Sequence, residues 1–569
     1  MALDYFAPGV YVEEVDRGSR PIEGVSMSVA GFVGFTEDVR GDAELFKPMM
    51  VTNWNQYLEL FGKPGSDGFT DFDAYLPFAV NGWFLNGGGR CWVTSIGTQL
   101  PGSEAPPPEE TGLKIFTSGN RPSLRFNLKL PEAEGEAPAL PSGDGRIQIA
   151  ILESEPKPLP DDAPEDAEPP LNNGEFFSVA VTQGDRELER YDHLTMNPEP
   201  ETEVADYVVT ALQESEYVEI ADLSQAGQPL SRRPTNGLYE VVPPPYIAQP
   251  DRFPRDLQGQ RDDRTGMQGI FEIDEVSTIA CPDLMRAYQA GLLDIDQIHG
   301  VMEMMVSMCE NAAPSPPYRM VVLDPPPVKP GKGMDPVLPE QQKPQDVAQW
   351  LSAFNRRSMF AALYYPWIKV ANPRNAGRPI SVPPCGHMMG IWCRTDESRG
   401  VFKAPANETP RGVIGLAYDT NMREQELLNP LGINCIRNFA TYNRGYKVWG
   451  ARTLVEPDNI QWRYISVRRL ISYIERSIEM GTQWVVFEPN DMDLWERVKR
   501  TVSNFLEGLW RAGALFGGSP AEAFYVKCDA DLNTHETMMK GRLYIEVGVC
   551  PVRPAEFVIF RVSQWAPNQ

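Results

Sequence analysis

One structural rhythm in this sequence breaks off and is then taken up again. Over residues 25–35 the apolar side chains Val25, Met27, Val29, Phe32 and Val33 read as a buried strand. Trp54, Tyr57, Leu58 and Phe61 follow at the spacing of one helical face, which predicts a short helix over 54–61. Residues 75–85 predict a second helix, closed by Gly87-Gly88-Gly89, and Cys91-Trp92-Val93 begins another strand. The pattern stops near Leu100 and returns near Gly269. Residues 277–282 and 318–323 then read as buried strands, bounded by Pro282-Asp283 and Asp324-Pro325. Such a chain builds one α/β domain from two separated pieces, with a unit of another kind inserted between them.

The interrupting segment differs in composition. Pro106-Pro107-Pro108 and the Pro-, Asp- and Glu-rich stretch 156–170 read as exposed loops, and residues 146–152 and 175–182 as short strands. Residues 101–222 carry 27 acidic and 8 basic side chains, whereas residues 345–569 carry 22 acidic and 27 basic. Most of the formal net charge of -26 therefore lies in one segment. A solvated surface accounts for this acidity, and so does a face that repels copies of itself. A chain this acidic is expected neither to coat nucleic acid nor to bind an anionic membrane. Its eight cysteines are scattered without a C-x-x-C pair, the usage of reduced thiols. No secretory signal and no apolar run of membrane-spanning length is expected.

The last third is the most regular. Val467, Leu470, Ile471, Ile474 and Ile478 give residues 462–480 an amphipathic helix, with Arg463, Arg468, Arg469 and Arg476 on the polar face. Residues 484–487 read as a strand. Asn490 is placed to cap the next helix, 493–512, with Asp491 and Asp493 near its positive end. That helix buries Leu494, Val498, Val502, Phe505 and Leu509, exposes Arg497, Lys499 and Arg500, and ends at Gly513 and Gly517-Gly518. Two strands close the sequence: Leu543, Ile545, Val547 and Val549 alternate with polar or small residues, and residues 557–562 are almost continuously apolar.

Chemistry-bearing motifs are sparse. Cys385-Gly386-His387 with Cys393 gives three ligand types, but the spacing fits no usual zinc site and a fourth ligand is missing; buried thiols and a hydrogen-bonded histidine account for them. Gly87-Gly88-Gly89-Arg90 lacks the Lys-Ser/Thr of a phosphate loop and precedes a strand, so it reads as a helix-ending turn. Helix capping explains Glu488, Asp491 and Asp493 without catalysis. There is no nucleophile elbow and no H-E-x-x-H helix, and the only histidines are His193, His299, His387 and His535. No catalytic residue, metal or cofactor is assigned.

The two ends pose the remaining problem. Val10-Tyr11-Val12 and the 557–562 segment are β-formers with nothing nearby in sequence to pair with, and an unpaired strand is a liability in a monomer. Strand addition between copies resolves it. Because each copy donates and accepts, the contact is head-to-tail and builds a ring or a helical polymer.

Several stretches resemble the contractile tail sheath proteins. They are Pro8-Gly9-Val10-Tyr11-Val12-Glu13-Glu14-Val15, Ser28-Val29-Ala30-Gly31-Phe32-Val33-Gly34, Leu85-Asn86-Gly87-Gly88-Gly89-Arg90-Cys91, Tyr364-Tyr365-Pro366-Trp367, Lys403-Ala404-Pro405-Ala406-Asn407, Val448-Trp449-Gly450-Ala451-Arg452-Thr453-Leu454, Trp484-Val485-Val486-Phe487-Glu488-Pro489-Asn490 and Pro554-Ala555-Glu556-Phe557-Val558-Ile559-Phe560. They cover residues 5–100 and 270–565; the acidic insert is the departure.

The resemblance implies a multidomain, mixed α/β (α+β) subunit: an exchange arm over 1–20, a middle α/β domain over 21–100 plus 265–344, an outward β-rich insertion over 101–264, an inner tube-facing α/β domain over 345–545, and a second arm over 546–569. Val10, Tyr11, Val12, Glu13 and Val15, with Phe557, Val558, Ile559, Phe560 and Val562, would be the exchanged strands. The basic balance of the last third makes Arg497, Lys499 and Arg500 candidate contacts to an inner tube protein. The implied partners are further copies in stacked six-fold rings or a helix, the tube, and baseplate and cap proteins. The implied setting is assembly in the bacterial cytoplasm without a signal peptide, then service in a phage virion or a phage tail-like particle. Two other readings compete: a soluble enzyme with an acidic lid, and a non-contractile tube or shell protein. Size disfavours the tube, which needs only a small barrel.

Overall fold

The computed structural model describes residues 21–561, apart from 102–111, 130–146, 159–171, 185, 201–203, 225–226, 242–245, 312–316, 331–333 and 440–443. The expected N-terminal arm, with Val10, Tyr11, Val12, Glu13 and Val15, lies outside the described residues, as does Val562.

The first α/β piece forms as its periodicity dictates. Strand β1 (Val29–Gly34) is buried along its whole length, β2 is Pro48–Val51, and β3 is Arg90–Ser95. Between them stand α1 (Trp54–Phe61), capped by Asn53 accepting from Gln56 N, and α2 (Tyr75–Leu85). After β3 the chain enters the insert. Its strands are β4 (Leu113–Phe116), β5 (Pro122–Leu128), β6 (Ile147–Glu153), β7 (Phe177–Gln183), β8 (Arg186–Thr195), β9 (Asp206–Tyr207), β10 (Val218–Asp222) and β11 (Gly237–Glu240). They make a three-stranded sheet, β10-β5-β4, and a five-stranded sheet, β11-β6-β7-β8-β9. Alternate residues such as Ile147, Ile149 and Ile151 meet Leu124, Phe126 and Leu128 in a separate core.

The chain returns beside its point of departure: Thr98 N and Gln99 N both donate to Tyr246 O at 3.1 Å. The α/β pattern then resumes with β12 (Thr278–Ala280), α3 (Ile295–Glu310), β13 (Met320–Leu323), α4 (Pro344–Phe354) and β14 (Ala361–Tyr365). A small antiparallel sheet, β15 (Ile368–Asn372), β16 (Arg378–Val382) and β17 (Val413–Leu416), surrounds α5 (Cys385–Arg399) in sequence, and β18 (Ile433–Asn438) and β19 (Tyr446–Val448) follow.

All of this is organised by one eight-stranded sheet, ordered β19-β18-β14-β13-β12-β1-β3-β2. Its inner pairings are parallel, and β2 and β19 cap the two edges antiparallel. Its inner strands β1, β12, β13 and β14 are buried along their whole length, as strands covered on both faces are. The sheet and its core run without a break across residue 345, where the sequence reading divides two domains. The reason is topological: β14, β18 and β19 continue the parallel ladder begun by β1, so they cannot bury both faces apart from it. The core changes only beyond Ile465. There α6 (Ile465–Gly481), α7 (Met492–Arg511), β20 (Phe524–Lys527) and β21 (Glu546–Val549) form a C-terminal lobe with its own apolar cluster.

The lobe corrects three local expectations. Residues 483–485 form a 3-10 turn, not a strand, and Phe487 stands fully exposed with φ 69°. The cap of α7 is Asp491, whose side chain accepts from Leu494 N at 2.8 Å, while Asn490 accepts from Trp495 Nε1. Arg468 and Arg469 do not lie on a solvated face but are buried.

Candidate assembly interface

In an open α/β sheet the usual binding crevice lies beyond the carboxyl ends of the strands where the winding reverses. Here that point falls between β1 and β12, and it is filled by the protein's own carboxylate. Asp283 Oδ1 accepts from Tyr75 N at 2.6 Å, and its Oδ2 from Phe35 N at 2.7 Å and Leu76 N at 3.1 Å. It supplies the cap that Ala74 cannot give to α2. Gly34 permits the approach, since a Cβ there would fall 2.4 Å from Asp283 Oδ2. One strand further on, Asp324 accepts from Cys385 N at 3.1 Å at the start of α5. Burial pushes the Asp283 carboxyl up to about 6 and that of Asp324 to about 7, against the opposing pull of these hydrogen bonds.

The Cys385, His387 and Cys393 motif lies along α5 with every member buried. Burial lowers the His387 imidazole to about 4, and its ring lies against Gly82 of α2. Among the described residues, no group of three or more His, Cys, Asp or Glu side chains is placed to hold a metal. All eight cysteines are free thiols, seven of them buried and Cys550 exposed. The described residues contain no helix long and apolar enough to cross a membrane.

The unfinished surface is in the C-terminal lobe. Strands β20 and β21 pair only with each other among the described residues and pack on α7 in the lobe's core. Since β21 pairs within its own chain, the second arm does not begin at 546. The chain stays tied to the lobe through Phe516 N donating to Cys550 O at 2.8 Å and Val552 N donating to Ala514 O at 3.1 Å. It is next held at Glu556. There Arg452 Nε donates to Oε1 at 2.9 Å, Arg452 Nη2 to Oε2 at 2.6 Å, Asn429 Nδ2 to Oε1 at 2.9 Å and Tyr464 OH to Oε2 at 3.0 Å. Burial alone would raise the Glu556 carboxyl; these donors outweigh it and hold it below its ordinary value. Immediately beyond, Phe557, Val558, Ile559 and Phe560 are 71%, 70%, 81% and 85% exposed. Among the described residues no strand pairs with them.

The N-terminal segment leaves from the other end of α6. Val25 N donates to Ser477 Oγ at 3.2 Å, and Ile22 packs into the lobe's core against Gly481. Gly24 lies so close to Tyr473 that a Cβ would fall 1.7 Å from its hydroxyl. The 17 residues of α6, about 25 Å at 1.5 Å per residue, thus separate the two exits. Two buried arginines fix the helix. Arg469 Nη1 donates to Asp396 Oδ1 at 2.7 Å and its Nη2 to Met27 O at 2.9 Å, with the guanidinium over Trp392. Arg468 Nη2 donates to Glu475 at 2.8 Å and stacks on Phe360 and Trp462.

The expected tube contacts lie on the outer side of α7 without converging. Arg497 stacks on Trp484 and reaches Glu488 at 3.8 Å, Lys499 reaches Glu496 at 3.7 Å, and Arg500 is exposed. Sequence reasoning missed the Glu556 grip altogether. Its one trace was an acidic residue directly before an apolar strand.

Known proteins now place this architecture. Residues 344–454 match the phage tail sheath protein central domain and residues 458–564 the phage tail sheath C-terminal domain. A putative prophage major tail sheath protein of Pseudomonas aeruginosa (strain UCBPP-PA14) is 26% identical over 34% of this chain and 48% of its own length. The tail sheath protein of Salmonella phage ViI is 26% identical over 39% of this chain and 34% of its own length. The matches thus span half or less of these relatives. Two solved structures share the fold nearly end to end. The sheath complex of an extracellular contractile injection system, PVC, in its contracted state has a TM-score of 0.54 at 20% identity, covering 99% of both chains. A chain of the anti-feeding prophage (AFP) baseplate has a TM-score of 0.52 at 22% identity, covering 98% of this chain and 99% of its own. Over residues 344–564 this chain is therefore similar to the two phage tail sheath domains, and the curated relatives it matches are tail sheath proteins.

Proposed function

We propose that the chain is the sheath subunit of a contractile tail or injection machine. Copies polymerise as stacked six-fold rings or a helix around an inner tube, between a baseplate and a terminal cap. Contraction into a shorter, wider state drives the tube through a target envelope. Energy stored at assembly powers the stroke, so the chain needs no cofactor and acts as a structural part, not an enzyme. It is assembled in the bacterial cytoplasm and serves in a virion or a tail-like particle.

The observation that carries this reading is the pairing of a donor and an acceptor on one chain. Residues 557–560 present a bare apolar segment, and β20–β21 is a sheet of two strands among the described residues. Seated on a neighbour, the segment hides its exposed side chains and saturates backbone groups on both partners. Residues 10–15 are proposed as the second donor. The occupied crevice at Asp283 supports the structural reading over an enzyme with an acidic lid. Arg497, Lys499 and Arg500 are proposed to face the tube.

A chain ending at Glu556 tests the proposal. It keeps the fold and the grip but lacks the donor strand, so it should melt like the full chain and form no cylinders under negative-stain microscopy. Normal cylinders from that chain would remove strand exchange from the account.

A further inference from the structure

We infer that Glu556 is a positioning residue: its carboxylate, gripped by Arg452, Asn429 and Tyr464, fixes the root of the C-terminal donor strand and aims it at a second copy of this chain. The inference rests on the strand-exchange reading above.

The grip belongs to the large domain, not to the lobe the strand has just left. Arg452 N donates to Asn434 Oδ1 at 2.7 Å, and Asn434 Nδ2 donates to Leu363 O at 3.1 Å and Arg452 O at 2.8 Å. Asn434 is fully buried in β18, and Leu363 lies in β14. Arg452 Nη1 also donates to Asn429 O at 3.0 Å, so the guanidinium is held on more than one side before it meets Glu556. Tyr464 directly precedes α6 and bridges to Arg452. The chain is therefore pinned to the lobe at Val552, pinned to the central sheet at Glu556, and exposed over residues 557–560.

Structural need alone does not explain a four-donor grip on a residue followed, among the described residues, by exposed side chains only. Direction does. A strand entering a neighbour's sheet loses conformational freedom at every residue. A root already fixed in place and bearing reduces the freedom left to lose, as preorganisation does in binding generally. The fork of Arg452 fixes the carboxylate's orientation as well as its position. Because the root sits at the start of α6 and the N-terminal exit at its end, both donors keep a set span.

Three full-fold proteins decide the matter: E556Q, R452K and the chain ending at Glu556. Each is followed by melting temperature and by the critical concentration for cylinder formation. A nitroxide on I559C in a C550S background reports local order. For E556Q and R452K we expect an unchanged melting temperature and a sharper nitroxide spectrum. We also expect a critical concentration raised about tenfold, the effect of one charge-assisted hydrogen bond. The spectrum is the reading that a merely structural role would not move. Native spectra and native critical concentrations for both substitutions, with the shortened chain still unable to polymerise, would overturn the positioning role and leave strand exchange standing. Polymerisation by the shortened chain would overturn strand exchange itself.

Discussion

Asp324 is a carboxyl whose burial leaves its charge poorly solvated. It is 4% exposed, and its proton is held until about pH 7 because burial outweighs its hydrogen bonds from Cys385. Unfolded, the group returns to about 3.8. A carboxyl raised on folding binds its proton more tightly in the native state. Its stabilising contribution is therefore complete below about pH 4 and is lost as pH rises through 7. Asp324→Asn removes that dependence. Relative to the variant, the native chain should lose stability between about pH 4 and 7 with a slope approaching ~1.4 kcal/mol per pH unit. Denaturant titrations at several pH values measure this, and a pH-independent difference would contradict it. Such residues were only half legible. Pro282-Asp283 and Asp324-Pro325 marked strand ends correctly, but Asp283 caps a helix start 208 residues away, a distance no local pattern encodes. Arg468 and Arg469 misled for a related reason. Charge reads as exposure, yet α6 is sandwiched between two cores, and Asp396, the partner of Arg469, lies 73 residues away.

Elements with a strong period were legible nearly to the residue: α1 and α2 begin and end where the apolar spacing puts them. The failure at 484–487 shows the limit. Trp484-Val485-Val486-Phe487 has the propensity of a strand, but the run sits in the corner between α6 and α7, where there is no sheet to join. The insert behaves as an element in its own right. Its core is separate and its two crossings meet at Gln99 and Tyr246. Replacing residues 100–245 by a short Gly-Ser linker should therefore leave the eight-stranded sheet folded. Circular dichroism and melting of the excised protein check this, and loss of the cooperative transition would show the insert to be integral. On α7 the charges are exposed and only weakly paired, with surface pairs worth roughly 0–1 kcal/mol each. Reversing Arg497 and Lys499 should leave the melting temperature unchanged and prevent sheathing of purified tubes. Fully sheathed tubes would remove these residues from the tube contact.

The described residues form a large mostly parallel sheet carrying an acidic β-rich insert and a C-terminal lobe with a two-stranded sheet and a bare apolar segment. The mixed α/β fold was readable because the interrupted rhythm survives as a local pattern, whereas the sheath reading came from stretches such as Tyr364-Tyr365-Pro366-Trp367 that resemble the family. The division near 345 was not readable, because membership of a parallel sheet depends on partners far away in sequence. Strand exchange leaves a single copy incomplete until its neighbours finish it. Cryo-electron microscopy of the assembled polymer tests this most directly, by tracing residues 557–560. Strand exchange predicts that they lie as an added strand beside β20–β21 of an adjacent copy. Finding them folded onto their own chain, or projecting into solvent within an intact cylinder, would contradict it.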